Sequence, residues 1–247
     1  MARKAVIILI FFMFFASSAY AASEGVDLVI VVDQSKSIKK NLPVIKDFIA
    51  KRIFDQIAQP QDTVYLLSFD GQFYFKRKLS GSSNIFDIGY ALDSVQAVGG
   101  YTDITNAVIE MSSFIDKQTD PKRKKIVFFL TDGLNEPPSY SKYPSKLDPA
   151  LFAETLHLKK DGGWSVFITG IGAKTSAPDL AQILEGKYAQ ISSAPTLEEF
   201  DTNITQQLKI VRKRTGNPFS ATVVATVAIA IAAASVGGVA LFRKYKV

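Results

Sequence analysis

An acid and two hydroxyls alternate at Asp33, Ser35 and Ser37, directly after the apolar run Val26 to Val32. A strand that ends this way collects oxygen donors at its carboxyl end, with no thiol or imidazole among them. Oxygen-only donor sets suit hard cations such as Mg²⁺ or Mn²⁺, which take octahedral shells, and they speak against zinc. Asp and Ser also cap helix N-termini and turns, so these three residues alone leave two readings open. Two later segments add to them. Val98-Gly-Gly-Tyr-Thr102-Asp103 puts a third hydroxyl, Thr102, at a helix start behind a glycine pair. Ile126 to Thr131, then Asp132 and Gly133, is a second buried-strand pattern that ends in an acid and a turn glycine. Asp132 is the second carboxylate. Asp103 reads as a favourable acid in a helix's first turn and is not counted among the donors.

Taken in order, D-x-S-x-S, a glycine-rich loop with a threonine, and a strand ending T-D-G resemble the metal-ion-dependent adhesion site of von Willebrand factor type A domains. The resemblance runs from about Val26 to Val211. It implies that Ser35, Ser37 and Thr102 approach Mg²⁺ or Mn²⁺ through hydroxyls, while Asp33 and Asp132 hold it directly or through water. A shell with so few charges leaves the ion electrophilic, and a partner protein's Asp or Glu carboxylate is the expected further donor. The implied function is divalent-cation-dependent binding or adhesion, without catalysis. In adhesive members of the family such engagement couples to movement of the last helix, here Leu197 to Val211.

Two other functional classes compete. Asp33 after an apolar strand is similar to the nucleophile of haloacid-dehalogenase-type, Mg-dependent phosphohydrolases, but position 35 is Ser where those enzymes carry a second acid. No G-x-S-x-G, Walker A loop or G-x-G-x-x-G occurs, and His157 is the only histidine. The missing chemistry favours a binding module over an enzyme. The third class is a structural subunit of a membrane-associated complex built with other type A proteins.

The elements expected to position the site form a three-layer, Rossmann-like α/β fold. Val26 to Val32, Thr63 to Phe69, Ile126 to Leu130 and Ser165 to Ile168 are nearly continuous in apolar residues, as strands covered on both faces are. Tyr188 to Ile191 is a weaker last strand. Helical periodicity links Leu42, Ile45, Ile49 and Ile53, then Ile104, Val108, Met111 and Ile115, then Leu197 to Val211. Alternation of strands and helices implies parallel pairing. Asp70-Gly71 between two strand-like runs predicts a hairpin into Phe73 to Leu79, an antiparallel edge strand. Ligands of such sheets bind beyond the carboxyl ends of the strands, where Asp33 and Asp132 both fall. The proline-stiffened loop Leu134 to Leu147 leaves the same edge carrying Tyr140 and Tyr143, which are candidates for partner contact. Trp164 reads as core and His157 as helix surface.

The two ends of the chain set its expected display. Arg3 and Lys4, the apolar run Ala5 to Phe15 and Ala19-Tyr20-Ala21 have the pattern of a secretory signal, giving 1–21 as a signal peptide. Residues 22–214 form the type A domain and 215–220 a juxtamembrane linker. The uncharged stretch 221–242, about 33 Å as a helix, is a single transmembrane span, and 243–247 is a basic cytoplasmic tail. The expected location is a cell membrane, single-pass, with the domain on the extracytoplasmic side. Ala230, Ala234 and Gly238 form a small-residue ladder that permits helix–helix association in the bilayer. The net charge is +6, but two bases lie in the signal and three in the tail, leaving 24 bases against 23 acids. A near-neutral domain gives nucleic acid no electrostatic hold. With no cysteine, an exported chain of this size must be stable from its core alone, a composition that leans bacterial or archaeal.

Overall fold

The computed structural model describes residues 25–171 and 175–191. The expected signal peptide, last helix Leu197 to Val211, linker, transmembrane span and tail all lie outside the described residues. Among the described residues, no helix is long and apolar enough to cross a membrane.

Six strands make one sheet: β1 (Asp27–Asp33), β2 (Thr63–Phe69), β3 (Phe73–Ser80), β4 (Lys125–Thr131), β5 (Ser165–Ile171) and β6 (Lys187–Ile191). Their order is β3-β2-β1-β4-β5-β6, and only the β2–β3 pair is antiparallel. β1 and β4 are buried along their whole length, which explains their unbroken apolar sequence. β3 is exposed at Phe75, Arg77, Lys78 and Ser80, and its Lys76, Arg77 and Lys78 place charges that discourage pairing at an open edge.

Helices cover both faces. α1 (Leu42–Phe48) runs on into a π-helical stretch, Ile49–Ile57; α2 is Ile85–Asp93, α3 Ile104–Gln118, α4 Ala153–Asp161 and α5 Ala177–Ile183. One face of the sheet, with Val29, Val31, Leu67, Phe69, Val127 and Phe129, packs against Val108, Met111 and Ile115 of α3 and Leu180 of α5. The opposite residues of the same strands, Leu28, Ile30, Leu66 and Phe128, are equally buried, and Ile45, Ile49 and Ile53 supply cover from the other layer. Trp164 is in the core and His157 is exposed, paired with Asp161 at 3.1 Å, as the sequence suggested for each.

α2 and α5 are absent from the periodicity reading. α2 carries apolar residues on every side and α5 has only seven residues, so neither presents a 3.6-residue stripe. The π-helical continuation of α1 is likewise invisible in the pattern Ile49, Ile53, which an α-helix would give equally well.

The central strand β1 has β2 on one side and β4 on the other. Chain order reverses across β1 and β4, so their carboxyl ends flank the crevice in which doubly wound sheets bind ligands. Asp33 closes β1, and Asp132 follows β4 directly.

Candidate functional site

Asp33 is fully buried at the end of β1. One carboxylate oxygen accepts the backbone N–H of Ser35 at 2.8 Å and the other accepts the Thr131 hydroxyl at 2.7 Å. Burial pushes its pKa up to about 6 despite those donors, and the neighbouring Asp132 pushes the same way. A carboxylate sealed from water beside a second acid is a site that a cation would relieve.

The chain then turns through a 3₁₀ segment, Lys36–Lys40, whose N-cap is Ser35. Neither Ser35 nor Asn41, the N-cap of α1, caps its helix with its side chain. The Ser35 and Ser37 hydroxyls lie 2.8 Å apart, and Ser37 Oγ donates to Asp132 Oδ1 at 3.0 Å. Asn41 Nδ2 reaches Asp132 Oδ2 at 3.5 Å. Helix capping therefore does not account for the two serines. Burial raises the pKa of Asp132, while the Ser37 and Asn41 hydrogen bonds oppose the rise.

Thr102 arrives on the loop before α3. Gly133 marks the meeting point: a Cβ there would lie 3.3 Å from Thr102 Oγ1 and 3.6 Å from Asp33 Oδ2. A side chain at 133 would crowd the space between the two oxygens. Asp33, Ser35, Ser37, Thr102 and Asp132 are thus brought to one place from three loops. Their donors are all oxygen, two of them carboxylates, Asp33 fully buried and Asp132 half-buried beside the exposed Ser37, and glycine keeps the space clear. That chemistry fits a hard divalent cation.

Several residues that the sequence did not assign to the site hold these loops. The Asp70 carboxylate, at the β2–β3 hairpin, accepts from Gln34 Nε2 (3.1 Å), Gln72 N (2.9 Å) and Tyr74 Oη (3.3 Å). Ser68 Oγ in turn donates to Gln34 Oε1 at 2.9 Å, forming a buried polar chain beneath the site. The Asp70 carbonyl accepts from Asp103 N at 2.8 Å. Gly99 lies so close that a Cβ there would sit 2.3 Å from Asp70 Cβ, which is why this loop needs glycine. Asp103 is the N-cap of α3 itself, one position before the first turn: its side chain accepts from Asn106 N at 2.9 Å and from Ser141 Oγ at 2.6 Å. Asn135 accepts from Ile104 N at 2.9 Å and donates to the carbonyls of Pro144 and Ser145. The contacts that join separate loops, Gln34 to Asp70 and Asn135 to Ile104, span 36 and 31 residues, so only the hairpin at Asp70 and the helix start at Asp103 left a sequence signal.

The Pro-rich loop folds over this edge. Tyr140 is 69 % exposed and meets Tyr101 edge to face, with ring centroids 6.3 Å apart. Tyr101 is 45 %, Leu134 48 % and Val98 63 % exposed, so apolar surface borders the acid and hydroxyl cluster.

The von Willebrand factor type A domain model matches residues 27–208 of the chain. No curated protein matches it. Among solved structures, a von Willebrand factor type A protein from Catenulispora acidiphila is 18 % identical with TM-score 0.56, covering 75 % of this chain and 43 % of its own. Proximal thread matrix protein 1 from the mussel byssus, with a zinc-occupied MIDAS motif, is 21 % identical with TM-score 0.55, covering 77 % and 46 %. The conserved hypothetical protein BatB from Bacteroides thetaiotaomicron is 17 % identical with TM-score 0.52, covering 75 % of this chain and 100 % of its own. The chain thus spans less than half the length of two of these three proteins. At these identities the likeness is one of fold.

Proposed function

The chain belongs to the von Willebrand factor type A family, and on that premise we propose that it is a divalent-cation-dependent protein-binding module displayed on the outer face of a membrane. The observation that carries the reading is the convergence of Asp33, Ser35, Ser37, Thr102 and Asp132 at the carboxyl edge of β1 and β4. Mg²⁺ or Mn²⁺ is the proposed ion, held by the two carboxylates and three hydroxyls. A bound divalent cation supplies an open position for a carboxylate oxygen from a partner protein.

The protein's own residues do the rest. Thr131 and the Ser35 amide fix both oxygens of Asp33, so the carboxylate is oriented before any ion arrives. Ser37 and Asn41 do the same for Asp132. Tyr101, Tyr140 and Leu134 offer rigid apolar contacts beside the site at small entropic cost. No step in this scheme needs a nucleophile or general base, in keeping with a role in binding. Membrane display rests on the sequence at the two ends of the chain: a signal at 1–21 and a span at 221–242.

Titration calorimetry of the full chain in detergent tests the metal. One Mg²⁺ or Mn²⁺ site is expected, lost in Asp33→Ala with the fold intact by circular dichroism, and a Zn²⁺ titration run in parallel ranks the ions. Unchanged binding in the variant would remove this site from the proposal. Protease added to intact cells, or to spheroplasts where there is an outer membrane, should digest the domain; a protected domain would reverse the orientation.

A further inference from the structure

Away from the metal face, α2 (Ile85–Asp93) buries Ile88, Ala91 and Leu92 against the sheet layer. Its outward face is apolar as well. Ile85 is 63 %, Phe86 85 % and Tyr90 66 % exposed, and a Cβ on Gly89 would meet nothing within 4 Å. At about 100° per residue these four positions fall within one arc of the helix, shared only by Asp93 at its C-terminal end, which pairs with Lys46 at 3.5 Å, so they form a single stripe. Scattered exposed apolar residues need no explanation, whereas a contiguous stripe of three large ones beside a glycine marks a contact surface.

We propose that this stripe binds the same stripe on a second copy of the chain, the two α2 helices lying antiparallel about a two-fold axis. The order of residues favours that occupant. Antiparallel pairing centred on the stripe sets Phe86 of each copy over Gly89 of the other, a large side chain against a missing one, and Ile85 beside Tyr90. Such a patch is self-complementary, as an isologous interface must be. The bordering charges agree. Arg77 on β3 stacks over Tyr90 at 4.8 Å, and Tyr90 meets the first turn of the opposing helix, where the exposed Asp87 stands. Mixed signs suit a second copy better than an anionic bilayer, which would repel Asp87.

One face of a nine-residue helix covers far less than the roughly 800 Å² per partner of a standard stable interface. Free chains therefore pair weakly; resting on the proposed membrane display, chains held on one membrane pair through their raised effective concentration. The pairing uses no residue of the metal site and is tested separately from it.

The chain has no cysteine, so single cysteines report cleanly. Full chains carrying Phe86→Cys or Gly89→Cys are reconstituted into lipid vesicles separately and as an equal mixture, then oxidised. The mixture should give severalfold more cross-linked dimer than either variant alone, because position 86 opposes 89 and not itself. Gly89→Leu, which has open space in the single chain, should leave the melting temperature undiminished yet abolish energy transfer between labelled copies. Equal cross-linking in all three samples, or energy transfer unchanged in Gly89→Leu, would overturn the pairing. So would a polarity-sensitive dye on the thiol of the Phe86→Cys chain that shifts with lipid composition while no cross-link forms, since the stripe would then be a bilayer contact.

Discussion

Asp33 carries the electrostatic tension of the proposed metal face. Its pKa of about 6 lies above the ordinary carboxylate value because burial disfavours the charge more than Ser35 and Thr131 support it. The folded state thus binds this proton more readily than the unfolded chain does. Stability from this group is present at low pH and is lost as pH rises from about 4 to about 6, a loss on the order of 3 kcal/mol. Without metal, wild type should lose stability relative to Asp33→Asn across that window, as measured by denaturant unfolding at matched pH. On the proposed function Mg²⁺ would act in the opposite sense, because only an ionised carboxylate would hold it. Its stabilising effect on wild type should be larger at pH 7.5 than at pH 5, and absent in Asp33→Asn at both. Equal effects of Mg²⁺ at the two pH values would separate Asp33 from the ion. The residue types of this cluster were readable in the sequence, since each acid or hydroxyl follows a recognisable strand or glycine-rich loop. Its supports were not: Asp70, Gln34 and Asn135 sit in ordinary loop or strand-end contexts, and the contacts that join separate loops, Gln34 to Asp70 and Asn135 to Ile104, span 36 and 31 residues.

Among the elements, the strands were legible and the short helices were not. Burial on both faces writes itself into β1, β2, β4 and β5 as nearly continuous apolar runs. α2 escaped because its two apolar faces erase the periodicity that would have revealed it. The loops between elements set the geometry of the site through tight contacts. Gly99→Ala would force a Cβ to within 2.3 Å of Asp70 Cβ, so the loop bearing Thr102 must move. A loss of about 1–3 kcal/mol in stability is expected, with weakened metal binding by calorimetry; a variant with wild-type affinity would show that the loop shifts without cost to the site. Asn135→Ala leaves the buried Ile104 amide without its acceptor and frees the Pro144 and Ser145 carbonyls. It should destabilise by about 1–3 kcal/mol and raise hydrogen exchange at the first turn of α3 above that of its last turn.

At the scale of the whole molecule, the sheet has a structural lock at the end opposite the proposed metal face. Asp27, fully buried at the start of β1, pairs with Arg123 at 3.3 Å and Lys125 at 3.4 Å. Arg123 also donates to the carbonyls of Gly25, Val26 and Gln61 and to the Thr63 hydroxyl, joining the chain entry, the start of β2 and the turn before β4. Lys125 reaches the carbonyls of Asp120 and Arg123. Asp27→Ala would leave Lys125 buried without a counter-charge and should cost about 3–5 kcal/mol. Metal affinity of the folded fraction should stay unchanged, since the site lies at the other end of the strands. A parallel loss of both would mean that the two ends of β1 are coupled.

The sequence by itself determined the succession of strands, the helices α1 and α3 between them, the antiparallel hairpin at Asp70-Gly71, and the five oxygen-bearing positions. These depend on local runs, local turns and residue chemistry, which need no knowledge of distant contacts. Tertiary structure decided what those positions do to one another. Only folding sets β1 between β2 and β4, buries Asp33 beside Asp132, turns the serine hydroxyls away from helix capping and toward that acid, and uses Gly133 and Gly99 for close approach. Each of those effects comes from atoms brought together across tens of residues, and a linear pattern carries no record of such distances.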